Sequence, residues 1–245
     1  MRFCAALLAL AGATAGLSDT LTLRDGRVVQ GTYMGGTART IKMQVDDSTK
    51  TFDVTEVASL QFTAPAAASE TTKPGMEGRA DSSVRAVIYE DLQCPDCAAF
   101  RRMLDETLLP KYGGKVCFEH RDFPLAKHAW ARRAAIAARF FAERDAALGL
   151  EYRRETMAGQ EAATAENFNQ RLTAFAQAHH IDPAEAIAAL SNPAYAALVD
   201  RDYQDGVGRG VVHTPTVFVN GRPFIETFTV DEISKGIDEA LAQAR

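Results

Sequence analysis

The sequence predicts an α/β domain carrying a long helical insertion, preceded by a small all-β domain. Three observations carry this expectation. Over residues 16–62 apolar and polar residues alternate in short runs broken by turn signals, the period-2 pattern of half-buried antiparallel strands. From residue 84 to 245 strand-like runs of four to six residues are separated by longer segments of helical spacing, the pattern of a mixed α/β sheet covered by helices. Between them, residues 63–83 are rich in Ala, Pro, Thr, Ser, Glu and Gly without periodic apolar residues, which predicts a flexible linker.

Composition narrows the function classes. The 245 residues include 27 Lys plus Arg against 32 Asp plus Glu, a formal charge of −5, which excludes a basic nucleic-acid binder on bulk electrostatics. At 47% hydrophobic and 24% charged residues, the chain is too apolar for disorder and too polar for a polytopic membrane protein.

Arg2, the apolar run from Cys4 to Ala11 and the small-residue site Ala13-Thr14-Ala15 read as a cleaved secretory signal over residues 1–15. The run is too interrupted to favour an uncleaved anchor. The expected location is periplasmic or otherwise exported, where disulfides persist. Cys94, Cys97 and Cys117 then remain, and three thiols cannot all pair within one chain.

The first domain is expected as five strands, Thr20 to Leu23, Arg27 to Met34, Thr40 to Val45, Thr51 to Val54 and Ala58 to Phe62, closed or curled into a small barrel. Its Asp25-Gly26 turn after the first strand and its final strand ending in an aromatic resemble Sm-like small barrels. A unit this small needs support, which makes homo-oligomerisation through it, or docking, an expectation.

The second domain opens with Val84-Arg85-Ala86-Val87-Ile88-Tyr89, an apolar run suited to a central strand. A helix is expected from Pro95 to about Pro110, a strand from Lys115 to His120, and an Ala-rich helix from about Lys127 to Glu143. The helical insertion, about 146–210, carries two Asx-Pro starts, Asp182-Pro183 and Asn192-Pro193, each an N-cap followed by Pro at the first helical position. The chain ends in a strand from Thr216 to Val219, an Asn220-Gly221 turn, a strand from Pro223 to Ile225 and a helix from about Val230 to Ala244.

The strongest chemical signal is Cys94-Pro95-Asp96-Cys97, which follows a buried-type strand and opens a helix. Cys94 falls at the helix start, where free backbone N–H groups and the helix dipole stabilise a thiolate; Pro95 suits the first helical position. Cys94 is therefore the expected nucleophile and Cys97, one turn on, the resolving thiol. Pro95 and Asp96 tune the pair. The Asp96 carboxylate complements the dipole but repels a neighbouring thiolate, so Cys94 is expected to be only moderately acidified. Cys117 lies in the β-like run Lys115–Glu119 and reads as a core cysteine.

A competing reading makes Cys94, Cys97, Cys117 and His120 a Cys3His zinc site. Cys117 and His120 are three apart on an expected strand and so face opposite sides, which weighs against it. Metal is therefore expected at none of these residues. Glu90 and Asp91 could accept the Cys97 proton, but solvated carboxylates at a strand end are the commoner arrangement. His128 and His213 read as capping or surface residues, and His179-His180 as surface. Phe168, Leu172, Phe175 and Ile187 fall at helical spacing and read as packing.

A second motif, Val212-His213-Thr214-Pro215-Thr216-Val217-Phe218-Val219-Asn220-Gly221, lies more than a hundred residues on. A strand running into CPxC at a helix start, with a late Thr-Pro-Thr strand and hairpin before a last helix, resembles the thioredoxin superfamily and in particular its exported DsbA-like branch. The stretch Phe118 to Leu125, followed by His128 and an Ala-rich helix, is similar to that branch as well. The resemblance covers about residues 84–245 and implies a thioredoxin-like fold. It also implies a cis Thr214-Pro215 bond beside the cysteines, with Thr214 and Pro215 binding an extended substrate chain by strand addition.

The function so implied is exported thiol-disulfide exchange with protein substrates, as oxidase or isomerase, with no cofactor and with a redox partner that recycles the cysteines. The helix-start thiol and the DsbA-like body point to an oxidase. Asp96, the Thr before Pro and an amino-terminal domain on a linker point to an isomerase or a reductase. The reading from another class is a binding or chaperone-like module whose cysteines form a static disulfide or a zinc site.

Overall fold

The computed structural model describes residues 19–36, 40–45, 48–61 and 75–244. The expected signal, 1–15, lies outside them, as does most of the expected linker. The chain divides into two compact units, residues 1–68 and 69–245.

The first unit is one antiparallel sheet of β1 (Asp19–Leu23), β2 (Val28–Gly36), β3 (Thr40–Val45), β4 (Ser48–Asp53) and β5 (Val57–Gln61), in the order β4-β3-β2-β1-β5. β2 serves two partners: its residues up to Gly31 pair with β1, and from Thr32 onward with β3. Glycine is needed where it changes partner, because a Cβ on Gly31 would lie 2.2 Å from the Gln44 carbonyl oxygen. Leu21, Leu23 and Met43 are the buried core, flanked by Val29, Ile41, Phe52, Val57 and Leu60. A one-turn 3-10 helix (Val54–Glu56), capped by the Asp53 carboxylate accepting from the Thr55 N–H, joins β4 to β5. The outer strands of this sheet, β4 and β5, share no ladder among the described residues.

The second unit is built on a mixed sheet of β6 (Gly75–Gly78), β7 (Arg85–Glu90), β8 (Cys117–Asp122), β9 (Thr216–Val219) and β10 (Arg222–Ile225), in the order β10-β9-β7-β8-β6. β7 and β8 are parallel and the other pairs antiparallel. β6 corrects the expectation of linker throughout 63–83. Two of its four residues are glycines, so it has no apolar alternation to read. Its one buried side chain, Glu77, is held by ion pairs rather than by packing.

Helix α1 (Pro95–Met103) leaves the end of β7 and runs through a π turn (Leu104–Leu108) into α2 (Leu109–Tyr112). The sequence predicts a helix ending near Pro110. In the wider turn the Leu109 N–H bonds Leu104 five residues back, and the chain passes Pro110, which has no N–H to offer, without breaking. α3 (Ala131–Arg144) and α4 to α7 (Ala146–Ala158, Phe168–Ala178, Pro183–Ala189, Pro193–Gly208) follow β8, and α8 (Val230–Gln243) closes the chain. The Asp182 and Asn192 side chains cap α6 and α7 by accepting from the N–H two residues on, with Pro at the first helical position as expected. α8 begins with a complete capping box, Thr229 and Glu232.

Apolar residues gather on both sides of the sheet. Ala86, Ile88, Phe118, Val217 and Val219 pack against Phe100 and Leu104 of the α1 region and Ile233 and Ile237 of α8. Tyr89 and Phe123 meet Tyr203 and Val207 of α7 on the other side. A third cluster joins α3 to α7 through Trp130, Phe141, Tyr152, Leu172 and Phe175, and reaches Leu92, Cys94 and Cys97.

Candidate active site

Cys94 has the extended backbone of an N-cap residue (φ −77°, ψ 124°), Pro95 occupies the first turn of α1, and Cys97 lies within that turn. Both thiols are free and buried, 5% and 1% exposed. The chain leaves β7 through a turn in which the Cys94 N–H bonds the Asp91 carbonyl at 3.0 Å. The Asp91 N–H points to Cys97 Sγ at 3.4 Å. From across the sheet, the Thr214 carbonyl accepts from Cys94 Sγ at 3.3 Å, and the Thr214-Pro215 peptide is cis. Two segments 120 residues apart thus meet at one sulfur.

This environment separates the two thiols. Cys94 is lowered to about 6, first by the hydrogen bond from the Cys97 thiol, then by the backbone N–H groups of Cys97 and Asp96, against the opposing effect of burial. Cys97 moves well above the ordinary cysteine range, because burial and the neighbouring Cys94 both disfavour its charge. At neutral pH the pair is one thiolate and one thiol. Acidification is deeper than the moderate shift expected. What Asp96 adds to the main causes is its backbone N–H at the helix start, and that favours the thiolate.

Glu90 and Asp91 are not solvated; they are 3% and 1% exposed. Asp91 Oδ1 accepts from the Gln93 N–H at 2.7 Å, while Oδ2 accepts from the Leu125 N–H and meets His128 Nδ1, both at 2.7 Å. Gln93 reaches onward, its Oε1 accepting from the Trp130 N–H at 2.8 Å. Asp91 and Gln93 therefore tie the cysteine turn to residues 125–130, and His128 is half-buried against Asp91 rather than free at the surface. Gln160, on the turn after α4, donates to the Cys94 carbonyl at 3.3 Å.

Glu90 belongs to a buried charged chain that sequence reasoning missed. His120 lies between Glu77 (Nε2, 2.8 Å) and Glu90 (Nδ1, 3.1 Å), and the two carboxylates raise its pKa against the effect of burial. Arg153 bonds Glu90 at 3.0 Å and Asp122 at 2.6 Å; Arg139 bonds Asp122 at 2.6 Å and also Asp202. Arg101, one turn beyond Cys97 on α1, bonds Glu77 at 2.5 Å. Each of these side chains looks like a surface charge in sequence; only their spacing in the fold makes them partners.

His120 is thus committed to carboxylates, and the zinc arrangement with Cys94, Cys97 and Cys117 is not formed. The metal-like group among the described residues is Glu151, Glu155 and His179, on the exposed side of the helical insertion. Cys117 is fully buried on β8, as expected of a core cysteine, and burial raises its pKa. His213 is exposed, and His179 lies against Phe175 with ring centroids 4.3 Å apart.

A family model described as thioredoxin matches residues 70–239. A search of curated proteins returns no match. Among solved structures, oxidised BdbD from Bacillus subtilis superposes with a TM-score of 0.62 at 21% identity, covering 70% of this chain and 97% of that one. α-DsbA1 from Wolbachia pipientis gives 0.61 at 16% identity, covering 70% and 92%. DsbA from Chlamydia trachomatis gives 0.58 at 17%, covering 69% and 92%. Residues from β6 to α8 carry the thioredoxin-like fold with its helical insertion shared by these DsbA-type structures, and the chain belongs to the thioredoxin family.

Proposed function

We propose that this chain is an exported thiol-disulfide oxidoreductase acting on protein substrates as an oxidase or isomerase, with Cys94 as nucleophile and Cys97 as resolving thiol. The observation that carries the reading is the opposite displacement of the two thiols, Cys94 to about 6 and Cys97 upward, at one helix start. A thiolate stabilised only in the reduced protein makes the Cys94–Cys97 disulfide a stronger oxidant.

In the oxidising direction a substrate thiolate attacks Cys94 Sγ. A substrate–Cys94 bond forms, the Cys94–Cys97 bond breaks, and Cys97 departs with the electron pair and takes a proton. A second substrate thiolate then attacks the substrate sulfur of the mixed disulfide and expels Cys94 as its stabilised thiolate. The substrate gains a disulfide and loses two electrons, which a redox partner must later remove from the dithiol. In isomerisation the Cys94 thiolate attacks a substrate disulfide, forming the mixed disulfide and releasing one substrate thiolate, and a different substrate thiolate then attacks the substrate sulfur and expels Cys94, with no net change of oxidation state. Thr214 and Pro215 supply the edge on which the substrate backbone is held: the Thr214 carbonyl that accepts from Cys94 in the dithiol is 3.3 Å from the reacting sulfur. None of these steps calls for a metal or organic cofactor.

The test is catalysed insulin reduction and refolding of a scrambled disulfide protein. Cys94→Ala should abolish both, and Cys117→Ala should leave both largely intact. Equal loss from the two substitutions would refute the two-cysteine mechanism.

A further inference from the structure

Among the described residues, the large apolar side chains with more than half their surface exposed are Val28 in the first unit and Val212 and Ile225 in the second. The two in the second unit flank the loop that carries Thr214 and Pro215. His213 and Glu226, their neighbours in sequence, face each other with Nδ1 and Oε1 3.6 Å apart. Glu226 holds a left-handed backbone (φ 57°), a conformation that a non-glycine residue adopts at a cost and that recurs at ligand clamps. Its N–H donates to the Pro215 carbonyl at 2.7 Å, and the Thr216 hydroxyl donates to the His213 carbonyl at 2.7 Å. The first bond fastens the end of β10 to the loop, and the second holds the loop to the start of β9.

Exposed apolar side chains clustered beside a binding edge mark contact sites, whereas singly scattered ones need no explanation. Beside these two stands the Glu226 carboxylate, paired with the His213 imidazole. We propose that Val212, Ile225 and Glu226 form a selectivity rim for the polypeptide that exchanges with Cys94. The rim favours a cysteine flanked by an apolar residue, seated on Val212 and Ile225, and by Lys or Arg, attracted to Glu226. The proposal rests on the oxidoreductase reading above and deepens it by naming the substrate class.

The test uses the oxidised full chain at pH 7.5 and short single-cysteine peptides in which the flanking residues are Leu or Ser and Arg or Glu. Each second-order exchange rate is divided by that peptide's rate with glutathione disulfide, which removes differences in the peptide's own thiol. An exposed charge pair predicts a normalised Arg-over-Glu preference of about threefold. Partial burial of a leucine predicts about fivefold for Leu over Ser. Glu226→Gln should abolish the charge preference and Glu226→Lys should invert it; the double substitution Val212→Ser, Ile225→Ser should flatten the apolar one. Exchange with every peptide at normalised rates within twofold, or preferences that survive these substitutions, would overturn the rim and leave the oxidoreductase intact. Failure of the oxidised chain to exchange with any peptide or with dithiothreitol would overturn both.

Discussion

Cys97→Ala, set against Cys97→Ser, isolates what acidifies Cys94. The largest cause of the low Cys94 value is the hydrogen bond donated by the Cys97 thiol. Hydrogen bonds to a charged group contribute about 1.5–3 kcal/mol, and 1.36 kcal/mol corresponds to one pH unit. Loss of the donor in Cys97→Ala should therefore carry Cys94 from about 6 to about 7–8, the remaining acidity coming from the N–H groups of the first turn. Serine keeps an O–H donor at the same place and should hold Cys94 near its native value. The assay is thiolate absorbance near 240 nm, or iodoacetamide alkylation, followed from about pH 4 to 10 with the reactive site confirmed by mass spectrometry. Cys117, fully buried with its pKa raised, should not contribute below the ordinary cysteine range. If Cys94 titrates identically in the alanine and serine variants, the helix start suffices and the thiol–thiol bond carries nothing. If the native protein titrates near 8.5, the ordinary cysteine value, the whole account of a stabilised thiolate fails.

The same two pKa displacements fix how the reduction potential should depend on pH. Below about 6 the reduced pair binds two protons and the potential should fall by about 59 mV per pH unit; above, Cys97 alone holds a proton and the slope should halve to about 30 mV, so a single slope over pH 5–8 would refute the separation. For stability the Cys94 pKa is depressed on folding, so its contribution to the reduced protein is present above the unfolded value and lost as pH drops through about 6; denaturant titrations should show the reduced form losing stability relative to the oxidised form between about pH 8 and 5. Arg153→Leu leaves Glu90 and Asp122 buried without that cation and should cost about 3–5 kcal/mol in urea unfolding, with thermal unfolding at correspondingly lower temperature. Gly206→Ala places a Cβ 2.7 Å from the Phe123 ring and 2.9 Å from that of Tyr89, and should cost about 1–3 kcal/mol in the same assay.

Which parts of this protein could be read from its sequence follows from how far each signal travels along the chain. The Cys94–Cys97 motif, the Asx-Pro starts of α6 and α7 and the Asn220-Gly221 hairpin are local: the residues that make the chemistry are within four positions of one another, and their order alone constrains backbone and side chain. Thr214 was reachable only through resemblance, because nothing within its own segment says that its carbonyl will meet a sulfur 120 positions away. The burial of Glu90 and Asp91 is hidden from the sequence for a related reason. An acid at a strand end is ordinarily solvated, and what overrules that default here is supplied from elsewhere: His120, Arg153, the Leu125 N–H and His128. The short strand β6 was missed because its position depends on Glu77 meeting Arg101 and His120, a contact of charges with no periodicity. Those same side chains connect β6 to α1 one turn beyond Cys97. The features hidden from the sequence are thus not peripheral to the site: the buried charges position the helix that the legible motif begins, and the low dielectric that makes them costly when unpaired also sharpens the separation between the two thiols.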